Sequence, residues 1–284
     1  MPHVAVVGRA NIDITVRIPG PPVPGRTTFA SSPATTTAGG KSLNQALAAS
    51  RAGAHASLIA NVGDDHWGTF LHRTLTNAAV DVFCFHLVPS ASTGIALIEV
   101  DPDGENRIIL ARTPDTELTG EQVSSRLAGL HVSVVVTQLD LPPDAVDAVF
   151  RHRRAQMLIG NLVPHSTLGA AALAPLDLFV ANEAGAAAIL GRHHDDPTVA
   201  ARELRELGPG AAVVTAGPGG AAYSDAYDTA LVPAPHVNVI NTSGAGDTFL
   251  GTIAARLAHQ FPLSHAIADG VAAATTFVSS GVQR

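Results

Sequence analysis

Near the C-terminal end, Asn241-Thr242-Ser243-Gly244-Ala245-Gly246-Asp247-Thr248-Phe249 runs into the apolar stretch Leu250-Gly251-Thr252-Ile253-Ala254-Ala255-Arg256-Leu257. Two glycines and an alanine ahead of an amphipathic run predict a helix start. The bare N–H groups of Gly244, Ala245 and Gly246 would converge there and attract an anion such as phosphate. Asp247 falls in the first turn, which sets a carboxylate beside an oxyanion pocket. That pairing can deprotonate a hydroxyl while charge builds on a transferring phosphoryl group. The tetrapeptide alone fits an ordinary capped helix equally well.

A second signal comes from a count. Of 17 basic residues, 16 are arginine and one, Lys41, is lysine. Lysine is a compact, mobile point charge and arginine a planar fork, so a site needing the former cannot simply take the latter. Lys41 is therefore a candidate site residue, against the alternative of one leftover surface lysine. Lys41 and Asn44, three apart at the start of an alanine-rich helix opened by Gly39-Gly40, share a face suited to a polyhydroxylated ligand. A phosphate-binding P-loop is excluded, because Thr35 stands where its first glycine must be. Asn11 and Asp13 are two apart, so an extended segment would point both toward adjacent hydroxyls, and an Asx turn fits them equally.

The elements that must position these groups follow a strand–helix rhythm. Strands are predicted at 3–8, 57–62, 132–138, 156–161, 177–181 and 211–215. Helices are predicted at 66–79, 120–129, 143–153, 183–191 and 198–207. The fold class is α/β, a doubly wound, mainly parallel sheet flanked by helices. Ligands of such sheets bind across the carboxyl ends of the strands. The polar or glycine-rich exits at Asn11–Asp13, Asp140, Asn182 and Thr215–Gly220 point to one crevice. Residues 93–100 and 106–110 flank Asp101-Pro102-Asp103-Gly104-Glu105, a hairpin that leaves the sheet as a small β lid. Pairing two such lids in a homodimer would cover their apolar face.

Composition excludes several functions. At 284 residues, 46% hydrophobic, the chain can bury a large core. A net charge of −7 without a basic block argues against nucleic acid or anionic membrane as partner, and a small molecule is expected. The single cysteine, Cys84, rules out an internal disulfide and a cysteine-based zinc cluster. His193-His194-Asp195-Asp196 precedes Pro197 and reads as a solvated loop rather than a metal site. No long apolar run or basic leader is seen, so a cytoplasmic location is expected.

In order along nearly the whole chain come Asn11-x-Asp13, Gly39-Gly40-Lys41-x-x-Asn44-Gln45-Ala46, Asn61-Val62-Gly63-Asp64-Asp65 and Ser92-Thr93-Gly94. After them come Asn182-Glu183, Thr215-x-Gly217-x-x-Gly220 and Gly244-Ala245-Gly246-Asp247. This series resembles the motifs of the ribokinase-like (PfkB) carbohydrate kinases, nearest to their ribokinase branch. The resemblance implies a single domain over 1–284 with a lid from about 14–38 and 93–112. It implies a transfer of the γ-phosphoryl group of ATP to a primary hydroxyl of a pentose, ribose foremost. A kinase for a nucleoside, pseudouridine or fructose derivative, or a binding member without turnover, stands as the alternative.

Residue by residue, the resemblance makes Asp247 the general base and Gly244, Ala245 and Gly246 the anion hole. Asn11, Asp13, Gly40, Lys41, Asn44 and Asp140 would hold the sugar, Asp140 in place of the usual glutamate. Asn182, Thr215, Gly217 and Gly220 would line the nucleotide site, with Mg²⁺ on the phosphates. Four departures stand out. Gly185 replaces the glutamate that organises the Mg²⁺ waters, leaving Glu183 to turn inward. Asn241, beside Ser243, replaces an aspartate that helps hold K⁺, so a K⁺ site is expected to be weak. Thr113-Pro114-Asp115 stands where glycine-alanine-asparagine is usual. Gly281-Val282-Gln283-Arg284 ends inside the segment that covers the adenine and supplies further cation carbonyls.

Overall fold

Period-two alternation divides the core into two halves. In the strand His3–Val7 (β1), Val4 and Val6 join one hydrophobic cluster and Ala5 and Val7 the other, and all four are fully buried. A strand apolar on both faces needs helices on both, and the chain supplies them. The computed structural model describes residues 2–111, 113–152, 155–162 and 170–280. The expectations touching Met1, residue 112, residue 153 and Gly281–Arg284 lie outside these residues.

After β1 come β2 (Asn11–Arg17), β3 (Thr35–Gly39), α1 (Lys41–Arg51), β4 (His55–Gly63), α2 (His66–Asn77), β5 (Phe85–Val88), β6 (Ile95–Val100) and β7 (Asn106–Ala111). Then follow α3 (Gly120–Ala128), β8 (Val134–Gln138), α4 (Pro143–Arg151), β9 (Met157–Asn161), β10 (Leu178–Asn182), α5 (Glu183–Leu190), α6 (Pro197–Glu206) and β11 (Ala211–Thr215). The described chain closes with β12 (Ala221–Ser224), β13 (Thr229–Val232), α7 (Ala245–Ala258) and α8 (Leu263–Ser280).

The main sheet has the order β13-β12-β11-β10-β9-β8-β1-β4-β5, parallel from β11 to β5, with β12 and β13 antiparallel at one edge. Strands after β1 are laid down first on its β4 side and then, from β8 onward, on its other side. The order therefore reverses between β1 and β8, where an open α/β sheet leaves a crevice at the carboxyl ends of its strands. Helices α1 and α7 pack together over this point. Their approach is close because Gly251 of α7 lies against the Gln45 carbonyl of α1, where a Cβ would collide.

Four strands leave the main sheet to form a second one, in the order β3-β2-β6-β7. β2 pairs antiparallel with β3 and parallel with β6, and β6 pairs antiparallel with β7 through the expected hairpin. Asp101 shapes that turn, its Oδ1 accepting from the N–H groups of Asp103 and Glu105 at 3.1 and 2.9 Å.

Some boundaries differ from the sequence reading. Asn11 and Asp13 lie on β2 of the small sheet rather than at the exit of the first strand, which stops at Val7. The helix expected over 66–79 ends at Asn77, where Ala78 caps it and Ala79 turns to φ 56°. β5, β12 and β13 carried no expectation; each has only four residues, too few for a periodic signal.

Candidate active site

A cleft of about 820 Å³ opens along the carboxyl ends of β9, β10 and β11, against the starts of α1 and α7. Lys41 and Asp247 line it together with Gly244, Ala245 and Gly246, and Asn182, Glu183, Thr215, Gly217 and Gly220 line it as well. Its wall also includes Val237 and Val239 from the segment ahead of α7, and Val271 and Val278 from α8. The lining thus combines polar and glycine residues with apolar ones, as small-molecule sites do.

Gly244 caps α7 in the left-handed region at φ 97°, a conformation a side chain would strain, and the space where a Cβ of Gly246 would lie is open. No side chain therefore covers the start of α7 at the cleft, although of the three N–H groups expected to form the anion hole that of Ala245 already donates to the Thr242 carbonyl at 3.1 Å. Asp247 is held from behind. Asn44 Nδ2 donates to Asp247 Oδ2 at 3.1 Å and Gln45 Nε2 donates to Oδ1 at 3.0 Å. Each carboxylate oxygen thus receives one N–H from α1. Gln45 is itself fixed by Gln138, whose Nε2 donates to Gln45 Oε1 at 2.7 Å, while Gln45 Nε2 also reaches Asn161 Oδ1 at 3.4 Å. Gln45 and Gln138 are buried, so this amide chain lies in a low-dielectric setting where its bonds are strong and their loss costly.

Lys41 is the first residue of α1 and is exposed to the cleft. Among the described residues it forms no ion pair, so its ammonium group can meet a ligand. Gly40 at the helix cap has φ 96°, and a Cβ there would press on the Arg9 carbonyl, the Ala10 backbone and the Asn11 side chain. The lid strand β2 is thereby brought against the start of α1. On β2, Asn11 Nδ2 donates to Asp13 Oδ1 at 2.7 Å, and both residues are buried on one face of the strand.

Asp140 stands at a different kind of contact. Arg9 Nη1 donates to Asp140 Oδ2 at 2.9 Å and Arg9 Nη2 to the Asp140 carbonyl at 3.0 Å. On the same guanidinium, Nε and Nη2 donate to the Glu117 carboxylate at 2.8 to 3.0 Å. A second, small pocket of about 30 Å³ lies here, lined by Arg9, Asn11, Gly94, Leu110 and Glu117 among others.

On the other side of the cleft, Asn182 caps α5, its Oδ1 accepting from Gly185 N–H at 2.8 Å. Glu183 is exposed and, with Asp247, is one of the two carboxylates among the described lining residues. Asn241 Oδ1 accepts from the Ser243 N–H at 2.9 Å, so the amide oxygen shapes its own turn. The donors here suit phosphates: N–H groups, an ammonium and an uncovered helix start. Metal ligands are sparse, and no group of three or more His, Cys, Asp or Glu side chains able to hold an ion occurs among the described residues.

Sequence reasoning assigned no role to Gln45, Gln138, Asn161, Arg9 or Glu117. Gln138 and Asn161 end apolar strands at the crevice, and Arg9 follows β1 by two residues. A polar group closing a buried strand was the available signal, but its partners come from elements more than 90 residues away.

Fold and site together define a ribokinase-like kinase, a phosphotransferase with an alcohol group as acceptor. The match to the model of the pfkB family carbohydrate kinases runs over residues 1–283, and the chain belongs to that family. It is 29% identical to the ribokinase of Bacillus subtilis over 283 residues, covering 99% of this chain and 94% of that one. It is 28% identical to a bifunctional ribokinase/ribose-5-phosphate isomerase A of Fructilactobacillus sanfranciscensis, covering 90% of this chain and spanning about half (49%) of that relative's length. Among solved structures, a ribokinase from Thermotoga maritima superposes with a TM-score of 0.86 at 25% identity, covering 99% of this chain and 95% of that one. An Arabidopsis thaliana ribokinase complexed with ribose and ATP has a TM-score of 0.84 at 24% identity, over 98% and 92% of the two chains, and shows the shared fold.

Proposed function

We propose that the chain transfers the γ-phosphoryl group of ATP to a primary hydroxyl of a pentose, converting ribose to ribose 5-phosphate. The observation that carries this reading is that Lys41 and Asp247 line one cleft with the glycine-opened start of α7. Ribose is favoured by the names of the relatives. In this reading Asp247 takes the proton of the acceptor hydroxyl, and the amides of Asn44 and Gln45 keep its carboxylate aimed at that hydroxyl. The N–H groups of Gly244, Ala245 and Gly246 receive the negative charge of the transferring group. Asn11, Asp13, Gly40, Lys41 and Asn44 hold the sugar, with Asp140 beside Arg9. Asn182, Thr215, Gly217 and Gly220 hold the nucleotide, whose adenine lies against apolar residues of the cleft wall.

Mg²⁺ supplies charge neutralisation on the phosphates, and Glu183 would hold its water ligands. Asn241 Oδ1 is a neutral oxygen that already accepts from the Ser243 N–H, so we propose that any activation by K⁺ is weak. The lid closes over the sugar and excludes water that would otherwise take the phosphoryl group. We place the protein in the cytoplasm as a homodimer joined through the lid; no described helix is long and apolar enough to cross a membrane.

The test is ADP release from Mg·ATP with ribose, fructose, adenosine and pseudouridine, with and without K⁺. Ribose should stimulate release most. Asp247→Asn should lower kcat about 10²-fold or more while ATP and sugar still bind, the usual scale for a general base. Equal turnover in variant and wild type removes Asp247 from its role. Ligand binding by calorimetry without turnover by any acceptor would favour a non-catalytic binding protein instead, in keeping with Gly185 where a metal-organising carboxylate is usual.

A further inference from the structure

The chain passes between the large and the small sheet at residues 8–10, at Gly40, at 89–94 and at 113–119. Each passage is a place where the small sheet can swing on the body unless something holds it. Gly40 sits tight against the Arg9 carbonyl and the Ala10 backbone, and Thr93 is bonded to Asp65 at the start of α2. The two remaining passages meet at one guanidinium. Arg9 lies in the first, between β1 and β2, and Glu117 in the last, between β7 and α3. Arg9 Nε donates to both Glu117 carboxylate oxygens at 2.9 and 3.0 Å, and Nη2 donates to Oε2 at 2.8 Å. The same group reaches the end of β8, which lies beside β1 in the large sheet, through the Asp140 carboxylate at 2.9 Å and carbonyl at 3.0 Å.

This junction is stiff. The three side chains are only 19 to 23% exposed, so the charge-assisted bonds are partly shielded from solvent, and a planar fork bonded on two sides cannot turn without breaking one set. Both anchors reach the core: Asp140 follows a fully buried strand, and beyond Glu117 the α3 residues Val123 and Leu127 join the same cluster as Ala5 and Val7 of β1. Around Arg9, the lid residues Asn11, Gly94, Leu110 and Ala111 leave about 30 Å³, the scale of one water molecule, so the root of the lid has little room to tilt. We infer that Arg9 is a positioning residue for the lid: it pins the first and last passages between the sheets to each other and to the end of β8. The angle of the small sheet against the large one, and with it the place of β2, is set by this pin.

The test needs neither ATP nor an acceptor, so it fails or succeeds apart from the kinase reading above. Amide hydrogen exchange is followed by mass spectrometry in the wild type and in Arg9→Met, which keeps an apolar stem and removes the fork. Peptides from β2, β6 and β7 are expected to exchange about 10-fold or more faster in the variant, while those from β9, β10 and β11 stay within about two-fold. A rise of equal size in both sheets overturns the pin, since Arg9 would then serve overall stability alone. An unchanged small sheet overturns it as well. Should Arg9→Met fail to fold, Glu117→Gln is read by the same comparison: it weakens only the last passage and leaves the bonds to Asp140 in place, and a rise of about 3-fold or more confined to the small sheet is expected.

Discussion

Asp247 illustrates how one side chain becomes a tool through its neighbours. A carboxylate at a helix start is common, but here each oxygen is bonded to an amide of α1, and one of those amides is fixed in turn by Gln138. Because Gln138 donates to Gln45 Oε1, the Gln45 amide is left with its N–H groups facing Asp247. Replacing Gln45 by methionine keeps the volume and removes that donor. The expected outcome is a fall in kcat on the order of 10-fold to 10²-fold with KM for ATP unchanged, the scale of a reacting group that has lost its alignment. Gln138→Leu acts one bond further back and should give a smaller loss of the same kind. Steady-state kinetics on the two variants checks both; a loss in KM for ATP alone would show that Gln45 serves packing rather than aim.

At the scale of elements, the small sheet must be tied to the body, and Asp65 does this. It caps α2 by accepting from Gly68 N–H at 2.8 Å, and it also accepts from the N–H and hydroxyl of Thr93 at 2.8 and 2.7 Å, just ahead of β6. Burial pushes its pKa up, but the Thr93 and Gly68 hydrogen bonds outweigh that and hold it below the ordinary carboxylate value. A depressed carboxylate stabilises the folded state above its unfolded pKa, and that contribution is lost as pH falls through the folded value. Asp65→Ala should therefore cost about 1–2 kcal/mol near neutral pH, the scale of a lost helix cap. The difference from wild type should shrink in acid below the ordinary carboxylate range. Urea unfolding at neutral and strongly acidic pH checks the sign; a gap that widens in acid contradicts it.

For the whole molecule, the outer edge of the small sheet is the surface that calls for a partner. β7 is the edge strand of its sheet and is exposed throughout, with Ile108 at 61% and Ile109 at 59% exposure, and Leu97 and Leu110 exposed nearby. An apolar edge of this kind invites pairing with another chain. The proposed homodimer predicts that Ile108→Lys with Ile109→Glu yields a monomer by sedimentation. A wild type that is already monomeric at micromolar concentration removes that proposal. The sequence by itself determined the alternating α/β rhythm, the hairpin, and the glycine-opened helix start carrying Asp247, because each is written in residues near one another: period, turn chemistry and capping are local. It also singled out Lys41 by its scarcity. Only the tertiary structure decided that Gln138 and Gln45 stand behind Asp247, that Arg9 bridges Glu117 and Asp140, and that Asn11 and Asp13 ride on the small sheet. Those contacts join side chains about 90 to 200 residues apart, from α1, α7 and the ends of β1 and β8, and such meetings depend on how the elements are packed, which no short-range pattern encodes.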